Sequence, residues 1–232
     1  MQLLAEIKNS FLHLLFPHNC HGCGSDILNK EAVLCLHCLS SLPQTHFEHL
    51  PGNPVEKKFW GRLPVQQAMA RYFFTRGSLI QELIHQVKYN GNRKLGIQLG
   101  RMMGISLKQS GRFAADALVP LPLFPGKEKK RGFNQSDLLC EGITEELGIP
   151  ILKKTIARLQ HTETQTHKDR MERWKNMEGK FILTDPASIA GKHILLVDDV
   201  ITTGATFESC GTELLKAGNI NLSIACLCCA DR

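Results

Sequence analysis

Aromatic residues are scarce in these 232 residues: 6% of the chain, with two Trp and two Tyr. No basic run is interleaved with aromatics, so a dedicated single-strand nucleic-acid stacking platform is not written in the sequence. No stretch approaches the roughly 18 consecutive apolar residues of a membrane span. The first 16 residues, MQLLAEIKNSFLHLLF, carry Glu6 and Lys8 inside their apolar stretch, which breaks the core of a secretory signal. Leu4, Ile7, Phe11 and Leu14 or Leu15 instead recur at helical spacing, and an amphipathic starting helix is expected. Two phosphate-binding patterns are missing, G-x-x-x-x-G-K-[ST] and G-x-G-x-x-G, and with them the Walker loop and the dinucleotide fingerprint. There is no internal repeat or low-complexity tract, and 43% hydrophobic content excludes wholesale disorder. A soluble, cytoplasmic protein with no membrane span is expected. Acids are also outnumbered, 22 against 28 Lys and Arg. The resulting net charge of +6 and pI near 8.9 favour polyanionic ligands, and phosphorylated metabolites and nucleic acid both fit.

Cysteine is abundant: there are nine. Four form two C-x₂-C pairs, Cys20-His21-Gly22-Cys23 and Cys35-Leu36-His37-Cys38, with eleven residues between them. Two such knuckles can direct four thiolates at one tetrahedral ion, about 2.3 Å from each sulfur if the ion is zinc. Disulfides compete for the same residues, but without a secretory signal a reducing compartment, and therefore metal, is favoured. A ligand set of four Cys has no open coordination position, so the expected zinc is structural. His18, His21 and His37 lie close enough in sequence to substitute as ligands. The other five cysteines, Cys140 and Cys210 on expected helices and Cys226, Cys228 and Cys229 in the apolar run LSIACLCCA, read as small core residues.

The most informative stretch runs from His193 to Thr206, HILLVDDVITTGAT. Residues 194–197 are uniformly apolar, the pattern of a strand buried on both faces of a parallel sheet. Asp198 and Asp199 follow at its expected carboxyl end, where open α/β sheets bind ligands. Adjacent carboxylates there can accept hydrogen bonds from ribose hydroxyls. Thr202 to Thr206 then offer backbone N–H groups, hydroxyls and one Gly ahead of a helix expected over 207–217, which makes an anion site at a helix N-terminus. The plain alternative is a Thr-capped helix preceded by two solvated Asp residues.

Elsewhere, the Pro and Gly content of residues 39–64 suits a connector, with the main domain starting near residue 65. QQAMARYFFT and DALVPLP read as strands, and SLIQELIHQVKY, RKLGIQLGRMMGISLKQ and FNQSDLLCEGITEELG as helices. This alternation predicts an α/β fold with a parallel sheet wrapped on both faces. Between the second strand and its helix, VPLPLFPGKEKKRGFNQ collects Lys127, Lys129, Lys130 and Arg131 in an expected basic turn that could grip a pyrophosphate. Taken alone, such a charge run is a solvated loop. Lys88 reads as a surface lysine, with a phosphate as its alternative partner.

The His193–Thr206 pattern resembles the phosphoribosyl-pyrophosphate signature of type I phosphoribosyltransferases. The whole chain resembles the ComF family of competence-associated proteins, also called GntX-like. That resemblance is carried by the paired knuckles, the V-P-L-P…K-R-G-F-N-Q block from Val119 to Gln135 and the His193–Thr206 signature. Arg158, Thr162, Gln165, Arg173, Asn176 and Phe181 also fall at spacings like those of the family's mobile catalytic loop. The resemblance implies a type I phosphoribosyltransferase fold over residues 65–232, behind an N-terminal helix and four-cysteine zinc module (1–45) and a linker (46–64). It implies that Asp198 and Asp199 hold the ribose hydroxyls, and that Val200 and Thr202, Thr203, Gly204, Ala205 and Thr206 hold the 5′-phosphate. Lys130 and Arg131 would lie near the pyrophosphate, Arg158 would act from the catalytic loop, and Mg²⁺ would accompany the substrate. The implied activity is transfer of ribose-5-phosphate to an unknown acceptor. The alternative is a non-catalytic nucleotide-sensing adaptor of the DNA-uptake machinery, with single-stranded DNA or a competence helicase as partner. Only Ala230, Asp231 and Arg232 follow the last expected strand, so a hood over an acceptor is expected from the N-terminal third.

Overall fold

The computed structural model describes residues 18–26, 32–159 and 181–230. The expected starting helix and the 162–176 part of the expected catalytic loop fall outside them. Four parallel strands make the main sheet: β1 (Ala68–Phe74), β2 (Ala117–Pro120), β5 (His193–Ile201) and β6 (Asn221–Ala230), in the order β1-β6-β5-β2. All eight residues from Leu222 to Cys229 are buried. Because strand side chains alternate between faces, a continuous buried run means that both faces of the sheet are covered. The two most apolar strands therefore take the central positions. The two edges are sealed by irregular chain. Phe73 N donates to Pro43 O at 2.8 Å beside β1, and Leu118 N donates to Pro150 O at 2.8 Å beside β2, so neither edge offers a free ladder along its length.

The helices match the expected periodicity: α3 (Leu79–Tyr89), α4 (Arg93–Ser110), α6 (Gln135–Leu147) and α7 (Ala205–Leu215). The α3 stripe of Ile80, Leu83, Ile84 and Val87 is buried, as the 3.6-residue repeat requires. Helices α4 and α6 cross at backbone contact. A Cβ on Gly142 would lie 2.0 Å from Ile97 O, and one on Gly100 would lie 2.3 Å from Leu139 O. Only glycine fits at these two positions.

Two segments differ from expectation. The expected basic turn is a seven-residue helix, α5 (Pro125–Arg131), with Pro125 in its first turn and Gly132 ending it at φ 79°. Pro and Gly here punctuate a helix instead of making a loop. After α1 (Leu36–Ser40), the stretch expected as a linker carries a 3₁₀ turn (Phe47–His49) and α2 (Pro54–Lys57), and Phe47, Val55, Phe59 and Leu63 are buried in the common core. Its polar residues anchor it as well. Asn53 Nδ2 donates to Phe47 O, Leu50 O and Ala68 O at 3.2, 3.0 and 2.8 Å, while its Oδ1 caps α2. Buried Glu48 and Glu56 pair with Arg71 at 2.8 Å and Arg112 at 3.0 Å. A short antiparallel pair, β3 (Ile156–Arg158) and β4 (Phe181–Leu183), sets Arg158 opposite Phe181.

Candidate functional site: paired carboxylates beside a cationic cleft

Asp198 and Asp199 lie within β5, which runs on to Ile201, and not beyond the strand as expected. The reason is β6, which continues to offer partners: Asp198 is in register with Cys226, Val200 with Cys228 and Ile201 with Cys229. Successive strand residues face opposite ways, so the acids turn to different helices. Asp198 Oδ1 accepts a 2.7 Å hydrogen bond from Ser136 Oγ in the first turn of α6. Asp199, 7% exposed, lies 2.7 Å from Lys88 Nζ in the last turn of α3. Burial and the neighbouring Asp199 charge push the Asp198 pKa up to about 7, against the opposing pull of the Ser136 hydroxyl, the Asp199 amide and Lys88.

Lys88 also lines a cleft of about 500 Å³ with Tyr89, Asn90, Gly91, Lys127, Lys130 and Arg131. Four cationic side chains thus converge where α3 ends and α5 passes. Arg131 sits 5.3 Å from the Tyr89 ring centroid, and its Nη1 donates to Gln135 Oε1 at 2.7 Å. The surface-lysine reading of Lys88 is corrected here: it joins the acid pair to the cationic cleft. Its position four residues after core-facing Ile84 was the available signal. Ser136 had no such signal, because its partner is 62 residues away.

Beyond β5, Thr202, Thr203 and Thr206 are exposed, while Gly204 is buried. Gly204 has φ 82°, in the left-handed region, and a Cβ on it would lie 3.1 Å from the Phe59 ring. Ala205 begins α7, two residues earlier than expected. The segment after α2 braces this turn: Arg62 Nη1 donates to Thr203 O at 3.3 Å, and Arg62 pairs with Glu208. On the other side, Arg158 stacks 3.8 Å from the Phe124 ring centroid and 5.2 Å from that of Phe181. Burial lowers the pKa of Arg158, and the nearby Asp198 charge opposes that shift. Among the described residues its buried Nε has no hydrogen-bond partner.

The four knuckle cysteines come together. The sulfurs of Cys20, Cys23, Cys35 and Cys38 all lie within 4.8 Å of one another. Cys23 Sγ and Cys35 Sγ are 3.7 Å apart, close to the roughly 3.8 Å edge of a tetrahedron with 2.3 Å zinc–sulfur bonds. Backbone amides point at the sulfurs, with Cys35 N to Cys20 Sγ at 3.2 Å and Gly22 N to Cys20 Sγ at 3.3 Å. Burial raises the Cys20 pKa, but the amides of Cys23, Cys35 and Gly22 outweigh it and the net shift is downward. The Ser25 hydroxyl and amide bring Cys23 down to about 6. Burial and the neighbouring thiols hold Cys38 up. These four residues could hold a metal ion, and no histidine is needed to complete the set. The other five cysteines are buried in the core.

A parallel α/β sheet with an acid pair on a central strand, a glycine turn into α7 and an N-terminal four-cysteine cluster define a phosphoribosyltransferase-fold protein with a module able to hold a metal ion. The phosphoribosyl transferase domain family matches residues 142–232. The chain is 34% identical over 213 residues to the DNA utilization protein YhgH of Salmonella typhi, covering 90% of this chain and 89% of that protein. It is 32% identical over 215 residues to YhgH of Escherichia coli K12, with 90% and 89% covered. It is 29% identical over 212 residues to Competence protein F of Haemophilus influenzae, with 89% and 88% covered. The chain belongs to this ComF, or GntX-like, family.

Proposed function

We propose that this protein binds phosphoribosyl pyrophosphate together with Mg²⁺ and transfers ribose-5-phosphate to a nitrogen acceptor, releasing pyrophosphate. The observation that carries this reading is that Lys88, one of four cations lining the cleft, also lies 2.7 Å from Asp199 of the carboxylate pair. A sugar diphosphate has that polarity: hydroxyls for the acids at one end and a dense anion for the cations at the other. In this assignment Asp198 and Asp199 accept from the ribose 2′ and 3′ hydroxyls. Val200 and Thr202 to Thr206 receive the 5′-phosphate on N–H groups and hydroxyls at the start of α7. Lys88, Lys130 and Arg131 hold the pyrophosphate. Arg158, within electrostatic reach of Asp198, adds positive charge on the loop side of the site. The acceptor nitrogen forms its bond to the anomeric carbon as the carbon–oxygen bond breaks. The bonding pair leaves with pyrophosphate, and the acceptor proton passes to solvent. The chain contributes mostly positioning and charge stabilisation. The roughly 500 Å³ cleft has room for a hydrated Mg²⁺ carried by the substrate's own phosphates, which would help neutralise the departing pyrophosphate.

The four-cysteine cluster is assigned to one structural zinc. The names of the relatives, competence protein and DNA utilization protein, support a role in competence or DNA utilization. Titration calorimetry with phosphoribosyl pyrophosphate and Mg²⁺ tests the reading. The protein should bind saturably, and Asp198→Asn with Asp199→Asn should weaken binding at least about 100-fold, the loss of two charge-assisted hydrogen bonds. Absence of binding by the unaltered protein overturns the reading. Binding without pyrophosphate release across a panel of bases and amines would replace transfer by the non-catalytic adaptor role.

A further inference from the structure

Three consecutive residues at the start of α6 serve three different neighbours. Asn134 fixes the turn, its Nδ2 donating to Leu121 O at 3.0 Å and its Oδ1 accepting from Ser136 N at 3.2 Å. Gln135 faces the cationic cleft through Arg131. Ser136, with no exposed surface, directs its hydroxyl to Asp198 Oδ1 at 2.7 Å. A buried hydroxyl with one carboxylate partner needs that partner, and the carboxylate needs the donor, since either left alone loses its hydration without replacement. We propose that Ser136 is a positioning residue for the sugar site: its hydroxyl favours the carboxylate form of Asp198 and aims that group's other oxygen at the ribose hydroxyls. This role rests on the phosphoribosyl pyrophosphate reading above.

The charged and titratable groups around Asp198 come from every neighbouring element. They are Asp199 on β5, Lys88 on α3, Arg158 on β3, Cys140 on α6, Cys210 on α7 and Cys226 on β6. Lys88 and Arg158 favour the ionised form, Asp199 opposes it, and the three thiols are themselves held protonated by burial. Among them Ser136 makes the direct side-chain hydrogen bond to Asp198. Its removal therefore moves the Asp198 titration to higher pH and leaves the cationic cleft in place.

Two measurements separate this role from a merely structural one. The first is ligand-free: carbon-13 carboxyl NMR of the full-length protein, with the Asp198 signal assigned by its loss in Asp198→Asn. Ser136→Ala should raise the Asp198 midpoint, and Ser136→Thr, which keeps the hydroxyl, should restore it. The second is binding of phosphoribosyl pyrophosphate with Mg²⁺ from about pH 5 to pH 9. Ser136→Ala should shift the rise in affinity to higher pH and weaken binding about tenfold at neutral pH, with the loss recovered at the alkaline end. An unmoved Asp198 midpoint, or a loss of affinity equal at all pH values, overturns the role of Ser136 even if the protein binds the ligand. A shifted midpoint in a protein that binds no phosphoribosyl pyrophosphate instead overturns the sugar-site reading, and the proposed role with it. If Ser136→Ala does not fold, Ser136→Cys, of similar size but a weaker donor, carries both measurements with the same expected direction.

Discussion

Asp198 works against the stability of its own fold. Its folded-state pKa lies near 7 against an ordinary value of 3.8, so between those limits the native state holds a proton that the unfolded state releases. Its contribution to stability is full below about pH 4 and is lost as pH rises through about 7, where the half-buried carboxylate must ionise beside Asp199. Asp198→Asn removes that ionisation and keeps an oxygen for the Ser136 hydroxyl. The expected outcome is a gain on the order of 2 kcal/mol in urea denaturation at about pH 8, shrinking to nothing near pH 4, in the same variant that loses ligand binding. An equal or lower stability at about pH 8 contradicts the assignment. The acids themselves were legible in the sequence, because an apolar strand ending in two carboxylates has few structural reasons to exist. Ser136 and Lys88 were not, because what fixes them is which helix ends arrive at the top of β5, and no local pattern records that.

Between elements, the crossing of α4 and α6 sets where the site's side chains point, since α6 carries Gln135 and Ser136 into it. Both helices were visible as periodic segments, but their closeness was not: a glycine within a helical pattern ordinarily counts only as a propensity cost. Here a Cβ at Gly142 would meet Ile97 O at 2.0 Å and Arg101 N at 2.4 Å, both backbone atoms that cannot rotate away. Gly142→Ala is expected to cost about 3 kcal/mol or more, read as a lower urea midpoint with little change in m. Ala at the exposed, unobstructed Gly126 should leave the midpoint within about 0.5 kcal/mol. Equal effects at the two positions would mean that the helices do not pack at this distance. The 46–64 stretch shows a different limit of sequence reading. Its prolines and glycines suggested a connector, yet Asn53, Glu48 and Glu56 tie it down by polar contacts that leave no hydrophobic periodicity. It also reaches the turn before α7 through Phe59 and Arg62, which bears on the expectation that the N-terminal third covers the site.

Across the whole molecule, the cysteine module and the sheet share one core. Cys20, Val33, Leu34, Cys38 and Leu42 belong to the same buried cluster as the strands. The first knuckle lies against α3: Gln86 Nε2 donates to His21 O at 2.8 Å, and a Cβ on Gly22 would lie 3.1 Å from Leu79. The spacing of the cysteines revealed the cluster, but nothing in it revealed this docking, which depends on residues some 65 positions away. Helix α3 also carries Lys88 to Asp199, two residues on from Gln86, so the module and the acid pair are held by one helix. If the four sulfurs bind one structural zinc, metal loss should not melt a separate finger. It should lower a single cooperative transition of the whole protein by about 10 °C, because the site's free energy is coupled to the common core. Differential scanning calorimetry after chelation, alongside Cys38→Ser and an elemental analysis giving about one zinc per chain before chelation, checks this. Two separate transitions would show the module to be energetically independent of the sheet, and an unchanged melting temperature in a verified metal-free protein would remove zinc from the account of the fold. With a single lowered transition, ligand affinity measured below it should also fall on chelation, since the last turn of α3, which positions Lys88, would have lost the contact that Gln86 makes with the module.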